Sequence, residues 1–193
     1  MMQIEDEINR LGGLQPVEDA FRPLNHAELN AIEKVLDRKL PDDYVYLVKR
    51  YGGCSFTNSV AFKPLQKEPA YKHPEALGIP NGGQFCGSQV AEFYGKRADE
   101  FTLADKLNTY SRRMPAGFLP FADDGLGNQL CLCLQPDNYA AVYWWDHELE
   151  WDEEDYAEET GLPMPAAAQY QNLYLVAQSV AGFFAALRIV SLA

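Results

Sequence analysis

The sequence predicts an α+β fold in which helices pack with an antiparallel or mixed sheet. Three observations support this prediction. Apolar residues recur at helical spacing through about the first fifty residues, three short apolar segments separated by turns fill 118–145, and a broad apolar stripe lies near the C-terminus. Helices followed by antiparallel strands and then by a closing helix are typical of an α+β domain.

The length and composition fit a single globular domain. The chain has 193 residues, of which 47% are hydrophobic and 23% charged, so it can bury a core without disulfides or metals. We expect one domain, 1–193, with its core at about 25–188, a helical N-terminal arm at 1–24 and an insertion loop at 63–83. The N-terminus lacks the basic start and apolar run of a signal peptide, and we therefore expect a cytoplasmic protein.

Three helices are predicted at the start of the chain. Ile4, Ile8 and Leu11 are spaced for one face of the first helix. Asn25 and Glu28 have the spacing of a capping box at the start of the second. The apolar stripe expected on the second helix is Leu29, Ile32, Val35 and Leu36. A third helix is predicted to begin at residue 41, with inward positions Tyr44, Leu47, Val48 and Tyr51.

Strands are predicted mainly in the second half of the chain. A strand at 55–62 and helices at 88–94 and 99–113 are expected first. Strands at 118–122, 129–134 and 140–145 follow, and the turns between them predict one antiparallel meander. A last helix is expected to cover one face of the meander with Leu173, Val176, Val180, Phe183, Phe184 and Leu187.

The cysteines favour a structural role. Cys131 and Cys133 lie two positions apart in an apolar run, so in a strand they face the same side, opposite to Leu130, Leu132 and Leu134. They lack the spacing of a zinc or redox pair. We predict that both are reduced and mostly buried.

The most distinctive segment is a run of acids beside tryptophans. Nine carboxylates and no Lys or Arg lie between residues 146 and 159, so this run supplies −9 of the formal net charge of −12. One interpretation is a solvated acidic loop whose tryptophans face the core. The other is a surface that attracts a basic protein, with Trp145 or Trp151 as apolar anchor. Its candidate contact residues are Trp145, Asp146, His147, Glu148, Glu150, Trp151, Asp152, Glu153, Glu154 and Asp155.

Adjacent residues of a strand point to opposite faces. Trp144 and Trp145 are adjacent, so one is expected in the core and the other available for binding.

Other function classes are disfavoured. An isoelectric point near 4.6 argues against nucleic acid and anionic membrane as partners. His26, His73 and His147 are too far apart in sequence for a metal signature, and no nucleophile elbow or phosphate-binding loop occurs. The turn at 123–128 lacks the ligand pattern of a calcium loop. The residues therefore indicate no catalytic site, and we expect no cofactor and no metal.

The order of the motifs resembles the SUKH superfamily, the Smi/Knr-like domain. The matching segments are Leu40-Pro41-Asp42-Asp43-Tyr44, Tyr51-Gly52-Gly53, Leu119-Pro120-Phe121-Ala122-Asp123-Asp124-Gly125, Gly127-Asn128, Val142-Tyr143-Trp144-Trp145-Asp146-His147-Glu148 and Ala181-Gly182-Phe183-Phe184. The resemblance covers roughly Asn25 to Leu187, and Tyr51 stands where the superfamily commonly has Asn.

This resemblance implies a binding function, and we therefore predict a protein that is not an enzyme and that binds another protein. Superfamily members are mostly non-enzymatic, and many bacterial members are immunity proteins that neutralise polymorphic or contact-dependent toxins, often nucleases. An acidic surface suits the basic groove of such a toxin. The alternatives are an interaction or scaffold domain with a non-toxin partner, and an enzyme of unrecognised type. The resemblance implies no catalytic residue and indicates neither the toxin nor the oligomeric state.

Overall fold

The computed structural model describes residues 2–98 and 100–190, which form helices and two antiparallel sheets. The helices are α1 (Met2–Arg10), α2 (His26–Leu36), α3 (Asp42–Arg50), α4 (Thr102–Tyr110), α5 (Glu153–Thr160) and α6 (Val180–Ala186). The strands are β1 (Leu14–Pro16), β2 (Cys54–Phe56), β3 (Val60–Phe62), β4 (Ser88–Val90), β5 (Glu92–Phe93), β6 (Phe118–Asp123), β7 (Gln129–Cys133), β8 (Val142–Trp145), β9 (Leu173–Ala177) and β10 (Arg188–Ile189). None of the described helices combines the length and apolar character that crossing a bilayer requires.

The larger sheet carries the predicted meander. Its strand order is β1-β2-β5-β6-β7-β8-β9, and each neighbouring pair is antiparallel. The smaller sheet has the order β10-β3-β4 and is also antiparallel. Leu130 pairs with Trp144, and Cys131 pairs with Tyr143. The predicted α+β class and the predicted meander of β6, β7 and β8 are therefore confirmed.

Both faces of β7 are covered. Leu130 and Leu132 face the main core, to which α1, α2, α3 and α6 contribute. Cys131 and Cys133 face a second cluster that includes Tyr110 of α4. Both thiols are free and have at most 1% exposed surface. The prediction of a buried, shared cysteine face is confirmed, because helices cover the sheet on its two sides.

The early helices form where the sequence predicts them, with one misassigned position. Asn25 and Glu28 form the full capping box at the start of α2. However, Val35 is 76% exposed, so its place on the buried stripe is wrong. Val35 lies roughly 120° around the helix from Leu29, whereas Ile32 lies only about 60° away. The third helix begins one residue after the predicted start, at Asp42.

Three predicted elements in the first 110 residues differ from the structure. The predicted strand at 55–62 is two strands, β2 and β3, which belong to different sheets. The predicted helix at 88–94 is wrong, because this segment pairs with distant strands as β4 and β5. The predicted helix at 99–113 is shorter, since α4 spans Thr102–Tyr110. Its predicted first residue, Asp99, lies outside the described residues.

The predicted last helix is only half helical. Its first part is the strand β9, which pairs with β8 along Leu173–Ala177. Its second part is α6, whose Phe183 and Phe184 are fully buried in the main core against the meander. The apolar stripe therefore covers the sheet only from residue 180 onward.

The N-terminal segment packs as part of the fold. Ile4, Ile8 and Leu11 are buried in the main core, and α1 packs against α6. The strand β1 that follows pairs with β2 at the end of the larger sheet. The helix that we expected in an arm therefore contributes to the main core.

Candidate functional site

The acidic run leaves the sheet at the end of β8. We call residues 146–159 the acidic segment. Its first turn is a 3-10 helix, in which Oδ1 of Asp146 accepts a hydrogen bond from the Glu148 amide at 3.0 Å. Burial raises the pKa of Asp146. Oδ1 of Asp152 caps α5 by accepting from the Asp155 amide at 2.8 Å. Asp146 and Asp152 therefore fix the backbone conformation of the segment in addition to contributing negative charge.

Trp144 and Trp145 are both buried, so the expectation that one of them is available for binding is wrong. Trp145 has no exposed surface and packs edge-on against Tyr110 at 5.4 Å. Trp144 is 6% exposed and stacks on Phe85 at 3.8 Å. The alternation rule holds, but a covering layer lies on each face of β8. Trp145 therefore cannot be a surface anchor.

Trp151 is the tryptophan that reaches the surface. It is partly buried and contacts Tyr156 edge-on at 6.1 Å. Tyr156 belongs to a small apolar cluster with Ile79 and Ala168, separate from the main core. Trp151 thus lies at the border between this cluster and the acidic surface.

Most carboxylates of the acidic segment have no positive partner. Glu150 is the exception, because Arg113 binds its two oxygens with Nε and a terminal nitrogen at 2.5–3.1 Å. Among the described residues, no Lys, Arg or His forms an ion pair with the exposed carboxylates Glu148, Asp152, Glu153, Glu154, Asp155, Glu158 and Glu159. The structure therefore presents a surface of uncompensated negative charge.

The C-terminal end of α5 carries negative charge, which the helix dipole disfavours at this end. Glu158 and Glu159 lie in its last turn, which has no basic residue. The C-terminal end of a helix dipole favours cations, and like charges four residues apart repel, as in the pairs Glu154 with Glu158 and Asp155 with Glu159. Local rules are commonly broken at functional sites. A cation bound at this end of α5 would therefore relieve unfavourable charge.

A cleft of about 460 Å³ separates α5 from a loop. We call that loop, residues 63–85, the strap. Pro80 and Gly82 of the strap form one wall. The remaining lining residues are Glu148, Leu149, Glu150, Trp151, Asp155, Glu158, Glu159 and Gln171. The cleft is therefore acidic along one wall, with apolar surface from Trp151 and Leu149.

The strap is fixed along the edge of the larger sheet. The amides of Leu65 and Gln66 donate to the carbonyl of Leu175 at 2.8 and 3.1 Å, and Ala70 donates to Leu173 at 2.8 Å. These bonds satisfy groups of β9 that an open sheet edge would leave unpaired. The segment expected to be an insertion thus closes the sheet edge and forms a wall of the cleft.

Gly82 lets the strap approach the sheet closely. A Cβ at this position would lie 2.5 Å from the hydroxyl of Tyr174 and 3.2 Å from Cδ1 of Leu149. That hydroxyl donates to the carbonyl of Gly83 at 3.1 Å. A side chain here would force the strap or these neighbouring side chains to shift, so glycine permits the close approach of the strap to Tyr174 and Leu149.

A buried polar network joins the turn at 123–128 to the acidic segment. Asp124 has no exposed surface, and its Oδ2 accepts from Asn128 at 2.9 Å and from Trp144 at 3.1 Å. Oδ1 of Asn128 accepts from the amide of His147 at 3.1 Å and lies 2.8 Å from its Nδ1. His147 is therefore held in a structural contact. In the described part of the chain, no group of three or more His, Cys, Asp or Glu residues is arranged to hold a metal.

Comparison with known proteins decides the family. The model of the SMI1/KNR4 family (SUKH-1) matches residues 23–186. The chain belongs to the SMI1/KNR4 family. It is also 31% identical over 139 residues to the SPbeta prophage-derived uncharacterized protein YokK of Bacillus subtilis (strain 168). That alignment covers 67% of this chain and 65% of YokK.

Membership confirms the resemblance that the motifs indicate. The SMI1/KNR4 family includes toxin-immunity proteins, and it is generally a family of binding proteins. Two motifs of the resemblance meet in the network described above, because the Asp124 turn and the strand of Trp144 are joined by hydrogen bonds. The turn of Asp124 and the strand of Trp144 therefore hold the base of the acidic segment.

The sequence located part of this site. Of the candidate contact residues, Glu148, Glu150, Trp151 and Asp155 line the cleft, whereas Glu153 and Glu154 are exposed beyond it. The strap wall and Gln171 were missed, because they lie far from the acidic segment along the chain. Two signals were present in the sequence: the length of the strap and the paired glycines at 82–83.

Proposed function

We propose that this protein is a non-enzymatic binding protein that neutralises a cognate polymorphic or contact-dependent toxin. The acidic segment covers the basic surface of the toxin domain. A nuclease is the expected toxin class, because a site that holds phosphate groups is basic. The observation that carries the proposal is the surface of exposed carboxylates, Glu148, Asp152–Asp155, Glu158 and Glu159, that lack ion-pair partners among the described residues.

Unpaired charge of one sign has a specific consequence for association. It attracts a partner of opposite charge over long range and raises the association rate, to about 10⁸ M⁻¹s⁻¹ or more at low salt. Fast capture suits a protein that must intercept a toxin before damage occurs. Trp151 supplies an apolar contact at the edge of this surface, of the kind that slows dissociation. Trp145 has no part in the interface, because it is fully buried.

The alternative is an interaction domain with a non-toxin partner, because an acidic surface selects for basic charge and not for toxicity. Co-expression separates the two functions. If a toxin gene lies beside this gene, its C-terminal toxin domain is expressed in a host with and without the protein. Rescue of growth supports the immunity function. Toxicity that persists at full expression of the folded protein, or the absence of a neighbouring toxin gene, favours the interaction domain.

A charge-matched pair of variants tests the surface itself. The first variant combines Asp152→Asn, Glu153→Gln, Glu154→Gln and Asp155→Asn. Asparagine at position 152 still caps α5. The control combines Asn substitutions at four exposed aspartates outside the segment: Asp6, Asp37, Asp105 and Asp137. We expect slower association and a weaker salt dependence for the first variant only. Equal kinetics for both variants would place the interface elsewhere.

A further inference from the structure

We propose that Asn81 is a site of spontaneous covalent modification, at which the side-chain amide is lost and an aspartyl or isoaspartyl residue is left. The nucleophile is the backbone nitrogen of Gly82, and the co-reactant is water. Asn81–Gly82 is the only Asn-Gly pair in the sequence. The inference does not depend on the proposed function, because it concerns the strap and not the carboxylates of the acidic segment.

The reaction is a ring closure followed by hydrolysis. The nitrogen of Gly82 attacks Cγ of Asn81, so a C–N bond forms and a five-membered succinimide ring closes. The bond from Cγ to Nδ2 breaks, and Nδ2 leaves as ammonia with the proton that the Gly82 nitrogen gives up. Water then opens the ring at either carbonyl, which leaves aspartate or isoaspartate. The nucleophile and the electrophile belong to adjacent residues, so the ring closure is intramolecular.

Gly82 leaves its nitrogen accessible for this attack. It has no side chain that would shield the nitrogen, and its amide has no hydrogen-bond partner among the described residues. Asn81 is exposed, so water reaches the ring. Close packing favours glycine at position 82, since a Cβ there would lie 2.5 Å from the Tyr174 hydroxyl. The packing of the strap on the sheet therefore retains the residue that makes Asn81 reactive.

The backbone of His73 holds and polarises the Asn81 side chain. The His73 amide donates to Oδ1 at 2.5 Å, and Nδ2 donates to the His73 carbonyl at 3.1 Å. Negative charge develops on Oδ1 when Cγ is attacked, and a backbone N–H aimed at such an oxygen stabilises the transition state. This donor is already in place in the folded chain. We therefore expect the fold to promote the reaction, whereas backbone rigidity alone would restrain the ring closure.

The modification breaks contacts that position His73. A carboxylate at position 81 cannot donate to the His73 carbonyl, and the isoaspartyl product also lengthens the backbone by one methylene group. The His73 ring is buried and lies 5.1 Å from the ring of Tyr71 and 5.6 Å from that of Tyr156, between centroids. Tyr156 belongs to α5, so this packing joins the strap to the opposite side of the cleft. Modification of Asn81 therefore loosens the strap wall of the cleft.

The first experiment compares the folded full chain with a synthetic peptide of residues 78–85. Both are incubated near neutral pH at 37 °C, and loss of the Asn81 amide is followed over days by mass spectrometry after digestion in acid. Asn138 is an internal control, because it is also exposed but precedes Tyr139, whose side chain hinders the attack. We expect Asn81 to react in the folded chain at least as fast as in the peptide, and Asn138 to stay intact.

Two variants separate the ring closure from its effect on the strap. Asn81→Gln keeps an amide, but attack by the Gly82 nitrogen would have to close a larger ring, so we expect this variant to resist modification. Asn81→Asp carries the charge of one product and keeps an acceptor for the His73 amide, but it lacks the donor and the longer backbone of the isoaspartyl form. Circular dichroism verifies that both variants are folded before incubation.

Hydrogen exchange measures the strap itself. Anion exchange separates the modified chain, because each product has gained a negative charge. We expect the amides of Leu65, Gln66 and Ala70, which donate to β9, to exchange about tenfold faster in the isoaspartyl product than in the unmodified chain. The increase should be smaller in Asn81→Asp.

Two results would overturn the inference. If Asn81 reacts more slowly in the folded chain than in the peptide, the fold protects this residue and the His73 amide does not assist the reaction. If the isoaspartyl product and the unmodified chain exchange the strap amides equally, the modification does not loosen the strap. Neither result bears on the toxin experiments described above, which decide the proposed function independently.

Discussion

The indole nitrogen of Trp144 donates a hydrogen bond to the buried carboxylate of Asp124 at 3.1 Å. This bond connects the turn between β6 and β7 to β8, the strand from which the acidic segment emerges. The same carboxylate accepts from Ser88 at 2.9 Å and from Asn128 at 2.9 Å. One buried side chain thus joins three parts of the chain that lie far apart in sequence.

Replacing Asp124 by alanine should destabilise the protein strongly. The substitution leaves the donors of Ser88, Asn128 and Trp144 without their acceptor in a buried site. We expect the free energy of unfolding to fall by about 3 kcal/mol. Urea unfolding followed by tryptophan fluorescence measures this. A loss below about 1 kcal/mol would show that water or a local shift replaces the acceptor.

The contacts of Asp124 show what sequence reasoning can reach. The Asp-Gly turn and the alternation around Cys131 are local patterns, and they were sufficient to predict the meander. The predicted helix from residue 173 failed for a physical reason. Leu173–Ala177 is a continuous apolar run, which periodicity cannot assign to strand or helix, and pairing with β8 decides its structure.

The candidate site was predictable in its charges and in Trp151, but not in its strap wall. The acidic segment is contiguous in the sequence, so its negative surface follows directly from composition. Trp145 was misassigned because alternation predicts opposite faces without saying whether a helix covers the outer one. The packing of Tyr110 against Trp145 depends on a contact across 35 residues of chain. The strap wall of the cleft is set by contacts of still longer range, between Leu65 and Leu175 for example.

The two ends of α5 should respond oppositely to loss of charge. Glu158→Gln with Glu159→Gln removes carboxylates from the last turn, where the helix dipole disfavours them. Glu153→Gln with Glu154→Gln removes them from the first turn, where it favours them. We expect the free energy of unfolding of the first variant to be about 0.5 kcal/mol higher than that of the wild type. That of the second variant should be lower than the wild type by about the same amount. Thermal unfolding at low and high salt measures both changes.

The salt series is the control for this pair. Screening should bring the two variants closer together at 1 M salt, where the Debye length is about 3 Å. Shifts of the same sign in the two variants, at every salt concentration, would contradict a dipole effect.

Lowering the pH should remove the contribution of the Glu28 carboxylate to the stability of the folded state. The hydrogen bond from Lys96, followed by that from the Asn25 amide, lowers the pKa of Glu28 below its ordinary 4.5. A carboxyl whose pKa is lowered by folding stabilises the folded state above its unfolded pKa. That contribution is lost as the pH falls through the folded pKa. We therefore expect the stability gap between wild type and Glu28→Gln to be present at pH 7 and to close below pH 4.5.

The magnitude of this gap is modest, because Lys96 is 42% exposed and solvent screens the pair. We expect about 1 kcal/mol or less at neutral pH. Glutamine keeps the capping-box oxygen, so the substitution isolates the charge. Urea unfolding at pH 7 and pH 3 measures the gap, and one that is constant with pH would contradict the linkage.

Native thiol labelling should modify a single cysteine. Cys86 is exposed, whereas Cys54, Cys131 and Cys133 are buried. Burial also raises the pKa of Cys131, which keeps this thiol protonated and unreactive. Mass spectrometry after brief maleimide treatment should show one adduct without denaturant and four with it. A Cys86→Ser variant should then give no rapid adduct, and rapid labelling of Cys131 or Cys133 would contradict the described packing.

The width of the cleft should depend on the contact between Gly82 and Tyr174. In Gly82→Ala, the added methyl would meet the Tyr174 hydroxyl at 2.5 Å, so either the strap or the Tyr174 side chain must move, and we expect the strap to move outward. We expect a loss of about 1–3 kcal/mol in the free energy of unfolding, as for other overpacked sites. The amides of Leu65, Gln66 and Ala70, which donate to β9, should exchange hydrogen faster.

The control for this prediction is Tyr174→Phe, which removes the opposing hydroxyl and its hydrogen bond to Gly83. If the hydroxyl is the obstacle, the double variant should lose less stability than the sum of the two single variants, by about 0.5 kcal/mol or more. Strict additivity, with unchanged exchange of the strap amides, would show that the strap tolerates a side chain at position 82 and that another contact sets the cleft.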